Sequence, residues 1–251
     1  MPTNVPNFIV VGSGAGGMTA ALTGSLLGLK VKIVEKSEVI GGTTSLSAGS
    51  VWIPNSMHST PGIDSGANAE TYLRATVGNR LKPALCDAFL RHGPAMIEFL
   101  SNTDVKFRAY PKHPDYMSDA EGSTLSGRAL EPLPFNGATL GGDFRRLRGP
   151  LPEFTILGGM MVNRADIANL LNATQNLYSL ARSGQLLARY AFDRLRFHRG
   201  TRLVMGNALV GRLYSSLRKQ GVNVDTATNV TRLIRIRDKV TGVEIAQNGQ
   251  P

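Results

Sequence analysis

A chain of 251 residues with 42% apolar and 18% charged residues has the composition of a folded protein, which excludes an intrinsically disordered one. Lysines and arginines number 28 against 18 aspartates and glutamates, a formal net charge of +10. Because the sequence has no long apolar run and no apolar stretch of signal length near Met1, we expect neither a transmembrane helix nor a secretory signal.

The first predicted elements form a strand–helix–strand unit over residues 7–36. Residues 7–11 are an apolar run that leads directly into glycines, residues 17–27 follow a helical pattern, and "KVKIVE" at 30–35 is typical of a second strand. A right-handed crossover makes two such strands parallel neighbours. The sequence therefore predicts an α/β fold built on a parallel sheet.

A glycine motif fills the turn between the first strand and the helix. Gly12, Gly14 and Gly17 satisfy G-x-G-x-x-G in the strand–turn–helix context that gives this motif its specificity. The first glycine allows a tight turn, the second lets a pyrophosphate approach the backbone, and the third lets helix and strand pack closely. The start of the helix, with Ala15 and Gly16, then presents N–H groups to the phosphates.

An acidic residue follows the second strand. Glu35 lies 18 residues beyond Gly17, where a carboxylate accepts hydrogen bonds from both ribose hydroxyls and repels a 2′-phosphate. NAD and FAD share this adenosine half, so these residues leave both cofactors open. A glycine- and hydroxyl-rich segment follows directly at 41–55, and this direct connection favours FAD. The further residues expected along FAD are Lys36, Gly41, Gly42, Thr43, Thr44, Ser47, Ala48 and Gly49.

Residues 56–200 are predicted to form an insertion of helices and loops. Helices are expected over 68–77, 82–91, 94–100 and 164–190, whereas 111–152 is rich in proline and glycine and therefore mostly irregular. A return helix and two antiparallel strands with a turn near Asp238 are expected within 201–246. All of these segments are assigned to one domain over 1–251.

The excess positive charge is concentrated in residues 189–202. A basic protein invites a nucleic-acid hypothesis, but this stretch lacks zinc spacing, a basic zipper and an aromatic sheet motif, so no nucleic-acid partner is expected. We interpret the stretch as a solvated helix face, with peripheral contact to an anionic membrane as an alternative. The arginines concerned are Arg189, Arg194, Arg196, Arg199 and Arg202.

The single cysteine and the four histidines form no evident reactive or metal-binding cluster. Cys86 lies in a helical pattern, so we expect a buried, unreactive thiol, and one cysteine fits a reducing compartment. The histidines lack metal-ligand spacing, so no metal site is expected. We therefore predict a cytoplasmic protein without a bound metal.

The stretch "GSGAGGMTAAL…VEKSEVIGGTTSLSAGSVWIPN" resembles the FAD-binding segment of the fumarate reductase and 3-ketosteroid dehydrogenase flavoproteins, and its "GGTT…WIPN" wording is closer to the ketosteroid branch. The stretch "GTRLVMGNALVGRLYSSLRKQGVNVDTATNVTRLI" is similar to the helix and strand that return to the cofactor in that family. The resemblance implies a Rossmann-like domain that binds FAD non-covalently, with helices on both faces of a parallel sheet and a small antiparallel element. It also implies that the backbone of Val230 meets the adenine.

The resemblance further implies an activity and a substrate. Family members desaturate a 3-ketosteroid ring: a base removes a proton beside the ketone, and a hydride passes to flavin N5. The implied partner is a small apolar 3-ketosteroid, and the electron acceptor is left open. In "HPDYMSDAEGSTLSGRALEP", Tyr116 matches the family tyrosine that borders the substrate pocket, where it would bind the substrate rather than abstract the proton. The alternative is an ordinary exposed loop tyrosine, and Arg128 and Glu131 are interpreted as ions that stabilise the loop.

The chain is shorter than members of that family. By the resemblance it is truncated before most of the substrate domain, and the region of Trp52 and Pro54 would lie near the flavin ring. Two other functions are kept open: a fumarate or succinate oxidoreductase, and a non-catalytic FAD-binding module.

Overall fold

A computed structural model describes residues 5–59 and 64–247. The chain divides into two compact units, the first formed by Met1–Ser47 with Pro134–Pro251 and the second by Ala48–Leu133. The predicted loop 41–55 thus has residues in both units. The assignment of 1–251 to one FAD-binding domain stays a prediction.

The described residues contain short strands and longer helices. The strands are β1 (Phe8–Val11), β2 (Val31–Val34), β3 (Val51–Trp52), β4 (Phe107–Ala109), β5 (Ala129–Pro132), β6 (Phe135–Asn136), β7 (Thr155–Ile156), β8 (Met160–Met161), β9 (Arg202–Leu203), β10 (Val224–Asp225), β11 (Thr228–Ile236) and β12 (Lys239–Gln247). The α-helices are α1 (Ala15–Leu26), α2 (Gly66–Val77), α3 (Pro83–Ser101), α4 (Arg164–Leu171), α5 (Leu177–Arg194) and α6 (Met205–Lys219). Short 3-10 helices occupy Gly42–Leu46, Gly78–Arg80, Gly137–Arg146 and Pro152–Phe154.

A parallel sheet in the order β1-β2-β10 organises the first unit. The predicted strand–helix–strand unit is confirmed, because β1 and β2 are parallel and α1 connects them. Helix α1 packs close to β1, since a Cβ at Gly24 would lie 2.8 Å from the Phe8 ring. On its buried side α1 places Met18 and Leu22, and α6 contributes Leu217 to the core.

The predicted antiparallel element is the hairpin of β11 and β12. Its first strand begins beside the end of β2, because the Ala227 N–H donates to the Ser37 carbonyl and the Thr228 N–H to the Glu35 carbonyl, both at 2.9 Å. The turn contains Arg237, at a φ of +55°, and Asp238, as the sequence predicted. Within the first unit, the hairpin thus starts next to the acidic end of the strand–helix–strand unit.

The second unit combines the antiparallel sheet β3-β5-β4 with helices α2 and α3. Two helices predicted over 82–91 and 94–100 are one helix, with Pro94 inside it. Proline favours a helix start, which is why the sequence suggested a break. The apolar face nevertheless continues across Pro94 from Cys86 to Ile97, and its burial outweighs the lost hydrogen bond. Cys86 is buried as predicted, and burial raises the pKa of its thiol.

The helix predicted over 164–190 is two helices, α4 and α5. Asn163 caps α4 in a reciprocal pair with Asp166, and the Asn176 side chain accepts the Ser179 N–H at 2.8 Å to begin α5. Side-chain capping of this kind starts a new helix within a helical pattern. In the described part of the chain, every helix is too short or too polar to cross a bilayer.

Candidate functional site

The glycine turn of the first unit has the geometry that close packing of a strand and a helix demands. Gly12 has a φ of +98°, and its N–H donates to the Val34 carbonyl at 2.7 Å. A Cβ at Gly17 would lie 2.1 Å from the Gly12 carbonyl oxygen, so no side chain fits there. Helix α1 has neither a side-chain cap at Gly14 nor an acidic residue in its first turn. Its N-terminus therefore keeps backbone donors and a positive dipole end suited to an anion.

The segment that follows Glu35 returns to this helix start. The Ala15 N–H donates to the Thr44 hydroxyl at 3.0 Å, and a Cβ at Gly42 would lie 3.5 Å from the Gly14 Cα. Gly41 has a φ of +121°, a conformation that favours glycine. The tertiary structure thus brings the 12–17 turn and the 41–44 segment together.

Glu35 is buried, with 5% of its surface exposed, and its carboxylate is bound from within the chain. Oε2 accepts the Ser13 N–H at 2.8 Å and the Ser13 hydroxyl at 2.7 Å, and Oε1 accepts the Ser37 N–H at 2.9 Å. Burial by itself raises the pKa of Glu35, but the hydrogen bonds from Ser37 and Ser13, with the nearby charge of Arg148, outweigh it and lower that pKa. A carboxylate has about four acceptor positions, so in this geometry about one remains for a ribose hydroxyl.

Ser13 is a site residue that the sequence analysis missed. Its hydroxyl donates to Glu35 and accepts the Gly41 N–H at 3.0 Å, so one fully buried side chain ties the glycine turn to the acid and to the segment beyond it. Two features of the sequence could have identified Ser13. It follows the first glycine of the motif directly, and its hydroxyl could bond to the acid that ends the second strand.

Replacing Glu35 by glutamine is expected to lower the free energy of unfolding at pH 7 by about 1–3 kcal/mol, because an amide cannot accept from both Ser13 and Ser37 as a carboxylate does. The folded-state pKa of Glu35 lies below its ordinary value of 4.5, so this stabilisation is present above pH 4.5 and is lost as the pH falls through the folded-state pKa. Urea unfolding between pH 3 and pH 7 measures it. Glu38→Gln removes an exposed charge nearby and should leave the pH profile unchanged.

The start of helix α6 packs against the 41–47 segment. A Cβ at Gly206 would lie 1.9 Å from the Thr44 carbonyl oxygen, and the Asn207 side-chain amide donates to the Ser45 carbonyl at 2.8 Å. Arg199 in turn donates to the Asn207 side-chain oxygen at 3.0 Å. None of these three contributions of 199–207 was predicted as part of the site, although "GTRLVMGNAL" was recognised as part of the return to the cofactor.

Two arginines predicted on a solvated face are buried or half-buried. Arg199 is buried, its guanidinium lies 4.7 Å from the centroid of the Phe144 ring, and burial lowers its pKa to about 10. Arg202 makes two hydrogen bonds to the Asp166 carboxylate, at 2.8 and 3.1 Å. The basic stretch is therefore partly interior, because the chain leaves α5 and enters the core before β9. Among the described residues, no group of three His, Cys, Asp or Glu side chains could hold a metal ion.

The remaining predicted cofactor residues lie in three settings. In the first unit, Lys36, Thr43 and Ser47 are exposed, while Val230 is half-buried in β11, two residues beyond Thr228. In the second unit, Ala48 is exposed and Gly49 is buried with a φ of +70°. Their contacts with FAD stay predictions.

The second unit holds Tyr116 in the loop between β4 and β5, where its side chain is 96% exposed. Next to it, Asp115 is buried and accepts the Trp52 indole N–H at 2.7 Å and an Arg128 guanidinium N–H at 2.8 Å. Arg128 also donates to Asp64 at 2.8 Å, so it is an interior structural ion. Pro54 is buried as well, and the Trp52 ring stacks on Phe89 with centroids 6.0 Å apart; their proximity to the flavin stays a prediction.

The residues of the first unit fit a dinucleotide. At the start of α1, Gly14 provides no side-chain cap and Gly17 leaves no room for a side chain, and a buried carboxylate stands at the end of the neighbouring strand. Phosphates require backbone donors and close approach, and ribose requires an acceptor, so this donor and acceptor set suits the adenosine half of FAD.

Comparison with known proteins agrees with this chemistry. A family model described as an FAD binding domain matches residues 7–251. The chain is 36% identical over 243 residues to a 3-oxosteroid 1-dehydrogenase of Mycobacterium tuberculosis, covering 95% of the chain and 42% of that protein. It is 35% identical to a 4-oxocyclohex-2-ene-1-carboxylate 5-dehydrogenase of Sinomonas cyclohexanicum, covering 94% of the chain and 40% of that protein.

Solved structures include a similar protein. The 3-ketosteroid delta1-dehydrogenase from Sterolibacterium denitrificans, in complex with 1,4-androstadiene-3,17-dione, matches with a TM-score of 0.86 and 33% identity, covering 99% of the chain and 45% of that protein. The chain therefore spans less than half the length of each of these three relatives.

Proposed function

Because the chain belongs to the FAD binding domain family, with FAD as its cofactor, we propose that the protein carrying it is an FAD-dependent 3-ketosteroid dehydrogenase. The observation that carries the proposal is similarity to 3-oxosteroid 1-dehydrogenases along almost the whole chain. When bound, FAD supplies the acceptor for the hydride removed as a carbon–carbon bond of the substrate ring is desaturated. The proposed substrate is a small apolar 3-ketosteroid.

The residues of the chain bind the cofactor and orient the substrate. The N–H groups of Gly16 and Gly17, at the start of α1, bind the pyrophosphate, beside the Ala15 N–H that donates to the Thr44 hydroxyl, and Glu35 accepts from the ribose. The backbone of Val230 borders the adenine, and Gly41 to Ser47 follow the cofactor onward. Tyr116 borders the substrate pocket, where its phenol hydroxyl can form a hydrogen bond.

We further propose that the domain that binds FAD has a Rossmann-like fold, with helices on both faces of the parallel sheet. The spatial order of the parallel strands supports it: β10-β2-β1 corresponds to the order 3-2-1 of the first three strands in dinucleotide-binding folds. A cytoplasmic location is likewise proposed, and the lone free cysteine, Cys86, supports it.

The test is an oxidation assay with the full-length protein, a 3-ketosteroid such as 4-androstene-3,17-dione, and a dye as electron acceptor. Dye reduction that depends on the steroid, together with a product that has gained a ring double bond, supports the proposal. Reduction with succinate alone would favour the dicarboxylate alternative. Bound FAD without oxidation of any of these compounds would favour a non-catalytic module.

A second substrate class has a specific basis. The relative from Sinomonas cyclohexanicum, whose name specifies a one-ring oxo acid, is almost as similar to the chain as the steroid enzyme is. Adding 4-oxocyclohex-2-ene-1-carboxylate to the same assay distinguishes the two classes: a higher kcat/KM for this one-ring acid than for the steroid would identify the one-ring acid as the substrate.

We also propose that the basic 189–202 stretch, together with α5 in which it begins, contacts an anionic membrane surface. Leu177 and Leu195 are separated by five helical turns and therefore share one face, and both are mostly exposed, as is Phe192. Arg182 within α5 and Arg196 just beyond its end are exposed cations of the same segment. Apolar side chains bordered by cations are typical of helices that lie in a lipid interface.

Vesicle sedimentation measures this contact. The protein is expected to bind vesicles containing phosphatidylglycerol, and Phe192→Ser with Leu195→Ser should reduce binding by about tenfold, because less apolar surface enters the interface. Leu27→Ser removes an equally exposed leucine at the end of α1 and serves as the matched control. Equal binding by both variants would contradict the assignment to α5.

A further inference from the structure

A loop of the second unit presents one tyrosine to solvent and anchors both of its neighbours. Tyr116 is almost fully exposed, whereas Asp115 is buried and its N–H donates to the Thr124 carbonyl at 3.0 Å. On the other side, the Met117 N–H donates to the Tyr72 hydroxyl at 3.2 Å. The backbone is therefore fixed immediately before and after Tyr116, although the exposed Tyr116 side chain contributes little to the packing of the second unit.

The anchor is a set of buried and half-buried side chains that we call the Arg128 frame. Arg128 joins two carboxylates, and its guanidinium lies 5.6 Å from the Trp52 ring centroid and 5.7 Å from that of Tyr72. Its members are Trp52, Asp64, Tyr72, Asp115 and Arg128.

Asp115 is the member that carries the geometry of the Arg128 frame into the loop. One carboxylate oxygen accepts the Trp52 indole N–H, and the other accepts from Arg128 and from the Thr124 N–H, at 2.8 and 3.0 Å. The Asp115 N–H also bonds to Thr124. A residue held by its side chain and its backbone together has little freedom, so the Cα of the next residue, Tyr116, is fixed in place.

The charges of the Arg128 frame argue for a role in conformation. One arginine stands between two carboxylates, and all three side chains are at most 2% exposed. A buried ion pair gains little stability over an apolar cluster of the same volume, because desolvation offsets the attraction between the charges. Directional hydrogen bonds to charged groups do fix geometry closely. An exposed tyrosine without a function requires no such support.

We propose that the Arg128 frame is the positioning element of Tyr116, and that Tyr72, through the Met117 N–H, and Asp115 are positioning residues for substrate binding. This inference rests on the proposed function, in which Tyr116 borders the substrate pocket and forms a hydrogen bond there. The tyrosine is held in place before substrate arrives, so little ordering remains to be done on binding.

The variant that tests the proposal is Tyr72→Phe in the full-length protein. It removes the hydroxyl that accepts the Met117 N–H and keeps the ring that faces Arg128. Hydrogen exchange at the Met117 amide is expected to become about fivefold faster or more. Tyr190→Phe is the matched control, because it removes one tyrosine hydroxyl bond to a backbone carbonyl, that of Leu157, in the first unit.

Steroid kinetics distinguish a positioning role of Tyr72 from a purely structural one, because a purely structural role would leave kcat/KM unchanged. Tyr72→Phe is expected to lower kcat/KM for the 3-ketosteroid by about tenfold or more, with FAD content unchanged. In a Tyr116→Phe background the same change should have almost no further effect, since the two residues act through one contact with substrate. Tyr190→Phe should leave kcat/KM as in the parent.

The outcomes separate this inference from the proposed function. Unchanged exchange at Met117, or faster exchange with unchanged kcat/KM, would overturn the positioning role while the enzyme remains a ketosteroid dehydrogenase. Additive losses in the double variant would also overturn it. A parent protein that oxidises no cyclic ketone would overturn the proposed function and, with it, the substrate role of Tyr116; the exchange data would then show only whether Tyr72 orders the loop.

Discussion

Gly17→Ala is expected to weaken FAD binding by about a hundredfold, equivalent to about 2.7 kcal/mol. The new methyl group would lie 2.1 Å from the Gly12 carbonyl oxygen, so α1 would have to move away from β1 and carry its N–H groups away from the phosphates. Titration of the full-length apoprotein with FAD, followed by flavin fluorescence, measures the loss.

Two other glycines serve for comparison with this change. At Gly184, which lies in α5 and outside the glycine turn, a Cβ has nothing within 4 Å, so Gly184→Ala should bind FAD like the parent. At Gly14 the nearest atom is the Thr44 hydroxyl at 3.7 Å, an ordinary contact, so Gly14→Ala should fold normally and still bind FAD weakly, because the pyrophosphate needs that space. Tight binding by Gly17→Ala, or equal weakening by Gly184→Ala, would contradict this account of the turn.

Arg128→Met is expected to destabilise the second unit by about 3–5 kcal/mol, because it leaves the carboxylates of Asp64 and Asp115 buried without their cation. Hydrogen exchange in β4 and β5 measures the loss for this unit. Trp52, the sole tryptophan, supplies a second signal, since its indole N–H bonds to Asp115.

An ion pair on the same sheet serves as the control. Arg108 pairs with Glu131 at 2.7 Å, but its side chain is half exposed, so Arg108→Met should cost no more than about 1 kcal/mol. Combining Arg128→Met with Asp64→Asn and Asp115→Asn should recover part of the lost stability, because the uncompensated charges are removed. Equal effects of Arg128→Met and Arg108→Met would show that burial of the Arg128 frame is not what matters.

Some predictions failed because two local preferences competed. Pro94 favours a helix start, yet α3 runs through it because the apolar face on either side is buried. The opposite error occurred at 164–190, where an apolar pattern suggested one helix but Asn176 caps a second one. In both places the decision depended on what the helix packs against or on how a side chain bonds to the backbone.

The interior of the site was predicted less completely than its outline. Glu35 was identified, but Ser13, which bonds to it, was not, because a serine in a glycine-rich turn is common in any loop. Arg199 was placed on a solvated face by its charge pattern, yet the turn after α5 buries it against Phe144. The composition and charge of a segment do not predict which of its residues become buried when the rest of the chain packs against it.

The strand–turn–helix unit, its glycine spacing and the acid after the second strand can be predicted from local residues, because all of them lie within one short βαβ segment. The contacts that support them depend on residues far apart in the chain. Asn207 bonds to Ser45 across 162 residues, and Arg128 bonds to Asp64 across 64. Contacts between such distant residues follow from how helices and strands pack, so no local pattern specifies that a buried arginine holds the loop of Tyr116.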